Sequence, residues 1–346
     1  MYKEIDTEKM FNSIWDFPDN LKDAIKIANE MTLVNHYNNI DKVVLAGMGG
    51  SAIGGDVVSV LEKENLKIPF FIIRDYNLPQ WVDNKSLLIC SSYSGNTEET
   101  LSILNEAIAR DVNIFGLTTG GILEKKLKNF SKDLVIIPSG LQPRAAVAYS
   151  IIPILELFKK LNIIKSNFIS WSEETINILE KKRHLYGTED ENNPVFRLAK
   201  NIYKKLPIIY SNNSTMAVAA TRLKGQLCEN SKMLAYTNVI PELNHNEIVG
   251  WENNQSILKK LCVLWLIDSK DIDRVEYRIR ITKEILDDVG IDQFVLNIDG
   301  KSFQERFLHM INYGDWLSFW CAILHGTDPS PVVKINQLKN KLSLIK

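Results

Sequence analysis

The sequence predicts an α/β protein of two doubly wound parallel-sheet subdomains, a diverged duplication, with a closing C-terminal helix. Three observations point there. Short β-branched runs alternate with longer amphipathic ones, the pattern of strands that reach parallel neighbours through crossover helices. A length of 346 residues suits two domains at about 150 residues each. Two segments, VVLAGMGGSAIGGDVV and PIIYSNNSTMAVAATRL, both read as strand, small-polar turn and helix, as a duplicated unit would.

In the first half, Lys42–Ala46, Phe70–Ile73, Ser86–Cys90, Asn113–Gly116 and Leu134–Ile137 have the length and apolar content of buried strands. Between them Val57–Glu64, Thr97–Arg110 and Leu123–Asn129 have helical period. Gln142 to Leu161 reads as a helix leaving this unit. Ser166 to Asn193 is charged and mainly helical, with GTEDENN as a polar break before Pro194. The domain boundary is expected within this stretch, giving domains of residues 1–165 and 166–346.

The pattern then restarts. Leu206–Tyr210, Leu261–Asp268 and Gln293–Ile298 are expected strands, and Met216–Cys228, Asp273–Asp287 and Ser302–Leu324 expected helices. The tail from Ser330 reads as a helix with Pro331 near its start, where the missing N–H costs nothing.

Composition removes several classes of function. With 45% hydrophobic and 24% charged residues the chain is globular. Forty-one Lys and Arg against 42 Asp and Glu give a net charge of −1, so no basic footprint for nucleic acid is present. The longest apolar run, Leu261 to Ile267, is far short of the ~20 residues that span a bilayer. The opening MYKEIDTEKMF is charged, and Cys90, Cys228, Cys262 and Cys321 are scattered without a C-x-x-C pair. A cytoplasmic enzyme with neither membrane nor nucleic-acid partners is expected.

Two loops suit a phosphate. Gly47-Met-Gly-Gly-Ser-Ala-Ile-Gly-Gly55 stands between a strand and a helix, where glycines let backbone N–H groups approach an anion. By itself it also fits a near miss to a dinucleotide fingerprint, or a turn needed only for tight packing. The second loop, Ser91-Ser-Tyr-Ser-Gly-Asn-Thr97, follows a strand and leads into a helix. Its hydroxyls can converge on one anion at a helix N-terminus; a plain cap needs one hydroxyl, and the capping-box position 100 is Thr. Asp75, after Arg74, lies farther off than the ~20 residues usual for a ribose-binding acid, which favours a phosphate without a nucleotide.

GMGGSAIGGD with SSYSGNTEET resembles the signature loops of the SIS (sugar isomerase) domain. The resemblance implies that Gly50, Ser51, Ser92, Ser94 and Thr97 hold a sugar phosphate. Tandem SIS domains agree with the duplication.

Three further residues are candidates for chemistry. His245 lies between two asparagines in PELNHNEIVGW, amides that can fix an imidazole's tautomer; a lone His is also commonly structural. Glu229 follows Leu227 and Cys228, which can desolvate it into a base; an ordinary helix-end glutamate paired with Lys224 or Lys232 explains it equally from the residues alone. Arg144 in QPRAA should emerge at the strand ends, where a guanidinium offsets anionic charge; at a helix start a purely structural Arg would oppose the dipole.

QPRAAVAYSIIPIL, GQLCENSKMLAY, PELNHNEIVGW and DPSPVVKINQLKNKL resemble the bifunctional phosphoglucose/phosphomannose isomerase family over nearly the whole chain. The resemblance implies a homodimer acting without cofactor or metal on a hexose 6-phosphate. Glucose 6-phosphate and mannose 6-phosphate would both interconvert with fructose 6-phosphate through a cis-enediolate. It makes Glu229 the base that moves a proton between C1 and C2. His245, from the neighbouring subunit, and Lys339, near Lys334 and Lys341, would open the sugar ring, and Arg144 would stabilise the enediolate. The family often has Thr where Ser330 stands here, and both carry a hydroxyl. Rival readings are a non-catalytic sugar-phosphate sensor, a SIS isomerase for another phosphosugar, and a Rossmann dehydrogenase using the Gly47 loop.

Overall fold

The computed structural model describes residues 2–345. It divides into two compact units, Asp16–Leu179 and Met1–Trp15 with Glu180–Lys346. The units divide within the Phe168–Tyr186 helix, inside the Ser166 to Asn193 stretch. The first fifteen residues group with the C-terminal unit, because Phe11 packs edge-on against Trp316 and Phe319 at 5.0 and 5.6 Å.

The Asp16–Leu179 unit holds a parallel sheet of β1 (Lys42–Ala46), β2 (Phe70–Ile73), β3 (Ser86–Ser92), β4 (Asn113–Thr118) and β5 (Asp133–Ile136). Their order is β2-β1-β3-β4-β5, so the chain reverses its winding between β1 and β3. In a doubly wound sheet that is the ligand-binding crevice. The register levels the carboxyl ends: Ala46 is opposite Cys90 and Ile73, and Ser92 opposite Thr118.

β3 is buried along its whole length, as a strand covered by helices on both faces must be. On one face Ile103, Leu104 and Ala107 of the Glu98–Ala109 helix and Leu123 and Leu127 of the Gly121–Asn129 helix pack on Val44, Leu88 and Ile114. Elsewhere in the unit the Gly49–Leu61 helix packs on Val147–Lys160, which packs in turn on Phe17–Asn29. Every residue from Val147 to Phe158 is buried, so that helix is wrapped on all sides. Each large apolar side chain so enclosed contributes about 1.5–3 kcal/mol relative to exposure.

The other unit repeats the winding. β6 (Leu206–Asn212), β7 (Tyr236–Ile240), β8 (Leu261–Ile267) and β9 (Asp292–Asn297) form a parallel sheet in the order β7-β6-β8-β9. This is the order of the first four strands of the other sheet, as a duplicated unit requires. β7 was not expected from sequence: YTNVI is short, half-exposed and interrupted by an Asn. Its central helix, Phe303–Leu324, is buried continuously from Glu305 to Ile323 and begins with a Ser302/Glu305 capping box. The tail forms the Val333–Leu342 helix, with no residue buried.

Candidate functional site

The first loop is less of a loop than its glycines suggest. The helix after β1 begins at Gly49 and runs to Leu61, so Gly50 and Ser51 lie in its first turn rather than before it. The expected start at Val57 was late because Gly54 and Gly55, weak helix formers, sit in the helix interior. No side chain caps this end at Met48. The Ser51 hydroxyl accepts from the Tyr93 N–H at 3.0 Å, and the Ser91 hydroxyl donates to the Ser51 carbonyl at 3.1 Å. These two bonds pin the first loop to the second.

In the second loop the Ser92 and Thr97 hydroxyls pair at 2.8 Å. Thr97 occupies the N-cap of the Glu98–Ala109 helix but makes no side-chain cap bond, because its hydroxyl is turned to Ser92. A hydroxyl pair with one internal donor keeps one O–H to give to a ligand. Ser94, which is exposed, accepts from the Asn96 N–H at 3.2 Å and retains its own proton. Gly95 has φ +68°, and a Cβ there would stand 1.8 Å from the Gly120 carbonyl oxygen, so only glycine fits this bend.

Arg144 sits on the 3-10 turn Pro143–Ala145 and is only 4% exposed. The alternative of a surface arginine is excluded by that burial. Its Nη1 donates to Gln142 Oε1 at 3.3 Å. A Cβ on Gly50 would meet the Pro143 carbonyl oxygen at 2.6 Å and the Arg144 nitrogen at 3.2 Å. Glycine at position 50 therefore lets the arginine turn rest on the helix start beside Ser51. Tyr93 helps fix the approach to this turn, donating to the Pro138 carbonyl at 3.1 Å and accepting from the Leu141 N–H at 2.9 Å. Burial raises the Tyr93 pKa, which keeps the hydroxyl protonated for that bond. Sequence reasoning missed Tyr93; an aromatic ring amid small polar residues was the available signal.

Glu229, His245 and Lys339 belong to the other unit. Glu229 is the last residue of the Ala217–Glu229 helix and is half-buried. The preceding turns are anchored: Arg222 Nη2 reaches both Asp315 oxygens at 3.0 and 2.8 Å, and Gln226 Nε2 reaches Asp315 Oδ1 at 2.6 Å. Just beyond, Asn230 and Ser231 bond to Ser318 at 2.9 and 2.6 Å. Of the two lysines that sequence offered as partners, Lys232 donates to the carbonyls of Asn230, Asp328 and Pro329. Glu229 thus stands at the end of a helix clamped on both sides of it.

PELNHNEIVGW folds as two 3-10 turns, Glu242–His245 and Glu247–Trp251. Glu247 bonds with the Tyr210 hydroxyl and with Asn238 Nδ2, while Trp251 Nε1 donates to Tyr210 at 3.2 Å. The expectation that the flanking asparagines hold the imidazole is overturned. Asn244 bonds with Thr282 and Arg278, and Asn246 with Glu242 and the Glu247 N–H. His245 is exposed and its imidazole makes no hydrogen bond among the described residues. Lys339 is exposed as well.

No helix among the described residues is long and apolar enough to cross a membrane. Residues 191–342 match the family described as bacterial phospho-glucose isomerase C-terminal SIS domain. A solved structure of a hypothetical protein from Thermus thermophilus superposes with a TM-score of 0.73 at 13% identity, covering 98% of this chain and 91% of that one; this likeness shows the fold. A bifunctional phosphoglucose/phosphomannose isomerase of Caldicellulosiruptor bescii is 44% identical over 97% of this chain and 100% of its own. One from Aquifex aeolicus is 37% identical over 87% of this chain and 90% of its own. On that extent of identity, the chain belongs to the bifunctional phosphoglucose/phosphomannose isomerase family.

Proposed function

We propose that this chain interconverts glucose 6-phosphate and mannose 6-phosphate with fructose 6-phosphate, without a metal, using the residues described above. The observation that carries the reading is the joined pair of loops. The Ser92–Thr97 hydroxyls, Ser94 and Ser51 lie at two helix starts that lack side-chain caps, with the buried Arg144 turn against one of them. Donors of this kind suit a dianionic phosphate, and binding energy gained there positions carbons far from it.

Ring opening needs a proton donor and an acceptor, roles that His245 and Lys339 have the chemistry to fill. Glu229 then removes the C2 proton of the aldose and returns it to C1 on the same face, giving the ketose. Charge gathers on the enediolate oxygens during transfer, and Arg144 offsets it. If the open chain turns about C2–C3, either C2 epimer presents its hydrogen to the same carboxylate. An exposed imidazole without a partner among the described residues suits a residue that works on a second subunit, so we assign a homodimer in which His245 acts in trans. Four free cysteines, three of them buried, accord with a cytoplasmic enzyme.

Fructose 6-phosphate is incubated with enzyme and EDTA, and both aldose phosphates are followed separately. Both should form. Glu229→Gln should reduce turnover by at least 10³-fold while fructose 6-phosphate still binds; near-wild-type turnover in that variant removes Glu229 as the base. Binding by wild type without either product would mean a sensor.

A further inference from the structure

The helix Asp273–Val289 carries opposite charges at the two ends of one face. Arg274 and Arg278 stand near its start and Glu284 and Asp288 near its end. The macrodipole favours anions first and cations last; Asp273 and Glu276 in the first turn satisfy it, while Arg274 and Asp288 oppose it. Arg274 and Arg278, like Glu284 and Asp288, are also spaced i, i+4, where like charges repel. Among the described residues none of the four forms a salt bridge; Arg278 donates to Asn244 Oδ1 at 3.3 Å.

Between these charges the same face carries Tyr277, Ile281 and Ile285, which are 49%, 50% and 39% exposed. The opposite stripe, Val275, Ile279, Thr282 and Leu286, is the one that packs into the unit. The helix is therefore apolar on two faces. Asn244, next to His245, bonds with Arg278 and Thr282 of this helix.

The outer face is complementary to itself about Ile281. Arg274 and Asp288 are each seven residues from that centre, Tyr277 and Ile285 each four, and Arg278 and Glu284 each three. When two copies of the helix cross antiparallel at Ile281, Arg274 meets Asp288, Arg278 meets Glu284, Tyr277 meets Ile285, and the macrodipoles oppose. At 1.5 Å per residue the outermost pair lies about 10 Å from the crossing point, within reach of an Arg side chain at the shallow crossing angle of about 20° common for bundled helices.

We propose that the Asp273–Val289 helix is the two-fold seam of the homodimer, packed antiparallel on its counterpart about Ile281. An isologous contact of this kind is self-complementary by symmetry. It places the His245 turn beside the seam, and it rests on the homodimer proposed above.

Mass is measured by light scattering and sedimentation on the full chain over a dilution series, beside activity and circular dichroism. Wild type should be a dimer. Ile281→Asp should weaken association by at least 10²-fold, as expected for a central apolar anchor. Arg278→Glu and Glu284→Arg should each weaken it about tenfold, and the two together should return it to within about threefold of wild type, because the swap restores both pairs across the axis. Ile281 and Glu284 are exposed and Arg278 is half-buried, and the restored double variant separates loss of contact from loss of fold. Ile281→Cys should give an intermolecular disulfide on oxidation, since a residue on the axis faces itself. A wild-type dimer that survives Ile281→Asp and yields no such disulfide overturns the seam and leaves the dimer standing. A wild-type monomer that remains active on dilution overturns the dimer itself.

Discussion

Gly50→Ala tests whether the contact between the first helix turn and the arginine turn sets the site. The added Cβ would lie 2.6 Å from the Pro143 carbonyl oxygen and 2.9 Å from its carbon. Carbon–oxygen contacts in proteins settle at about 3.3–3.6 Å, so the turn must retreat by roughly 0.8 Å. The neighbouring atoms are backbone, which no side-chain rotation relieves. Arg144 moves with the turn, and if it acts in the role proposed above, a misplacement of about 1 Å can cost about 10²-fold in rate. The variant should therefore lose about 30–100-fold in kcat/KM for fructose 6-phosphate. Overpacking should also remove about 1–3 kcal/mol of stability, leaving a folded protein. Coupled formation of glucose 6-phosphate, read beside circular dichroism and urea unfolding, measures both. A folded Gly50→Ala enzyme with wild-type kcat/KM would refute the argument that this contact positions Arg144.

Asp315→Ala leaves Arg222 buried without its carboxylate, with both partners nearly inaccessible in the native protein. Breaking such a pair costs about 3–5 kcal/mol, and the urea midpoint should fall accordingly. His309, stacked on Tyr186 and bonded to its hydroxyl at 2.9 Å, has its pKa lowered to about 4 by burial, with Lys182 adding to the effect and the Asp299 carbonyl and charge opposing it. A proton that the unfolded chain takes up near pH 6.5 is refused by the fold, so stability is full above that pH and falls as pH drops towards about 4. The loss should approach about 3 kcal/mol, and His309→Phe should flatten that part of the profile. Gly225→Ala places a methyl where nothing lies within 4 Å and where φ is not in the left-handed region. Within the Ala217–Glu229 helix it should add about 0.5–1 kcal/mol to unfolding free energy.

Much of this protein is written locally. Strands such as KVVLA and SLLIC are buried on both faces, so their apolar runs state the parallel sheet directly. The SSYSGNT loop announces itself because several hydroxyls around one glycine exceed what a cap requires. β7 stayed hidden, since its half-exposed YTNVI takes its place through pairing with β6 rather than through its own composition.

The sequence by itself determined the fold class, the duplicated winding and the two loops, because period and turn chemistry act over a few residues. Tertiary structure alone decided which way each polar side chain points. Within NHNE, Glu247 turns inward to Tyr210 and Asn238, both asparagines bond elsewhere, and His245 is left outside. Arg144 is buried because Gly50, distant in sequence, offers no Cβ against its turn. The first fifteen residues group with the C-terminal unit through rings that meet only in the fold. These outcomes follow from contacts between residues remote in the chain, and no window of local sequence contains both partners.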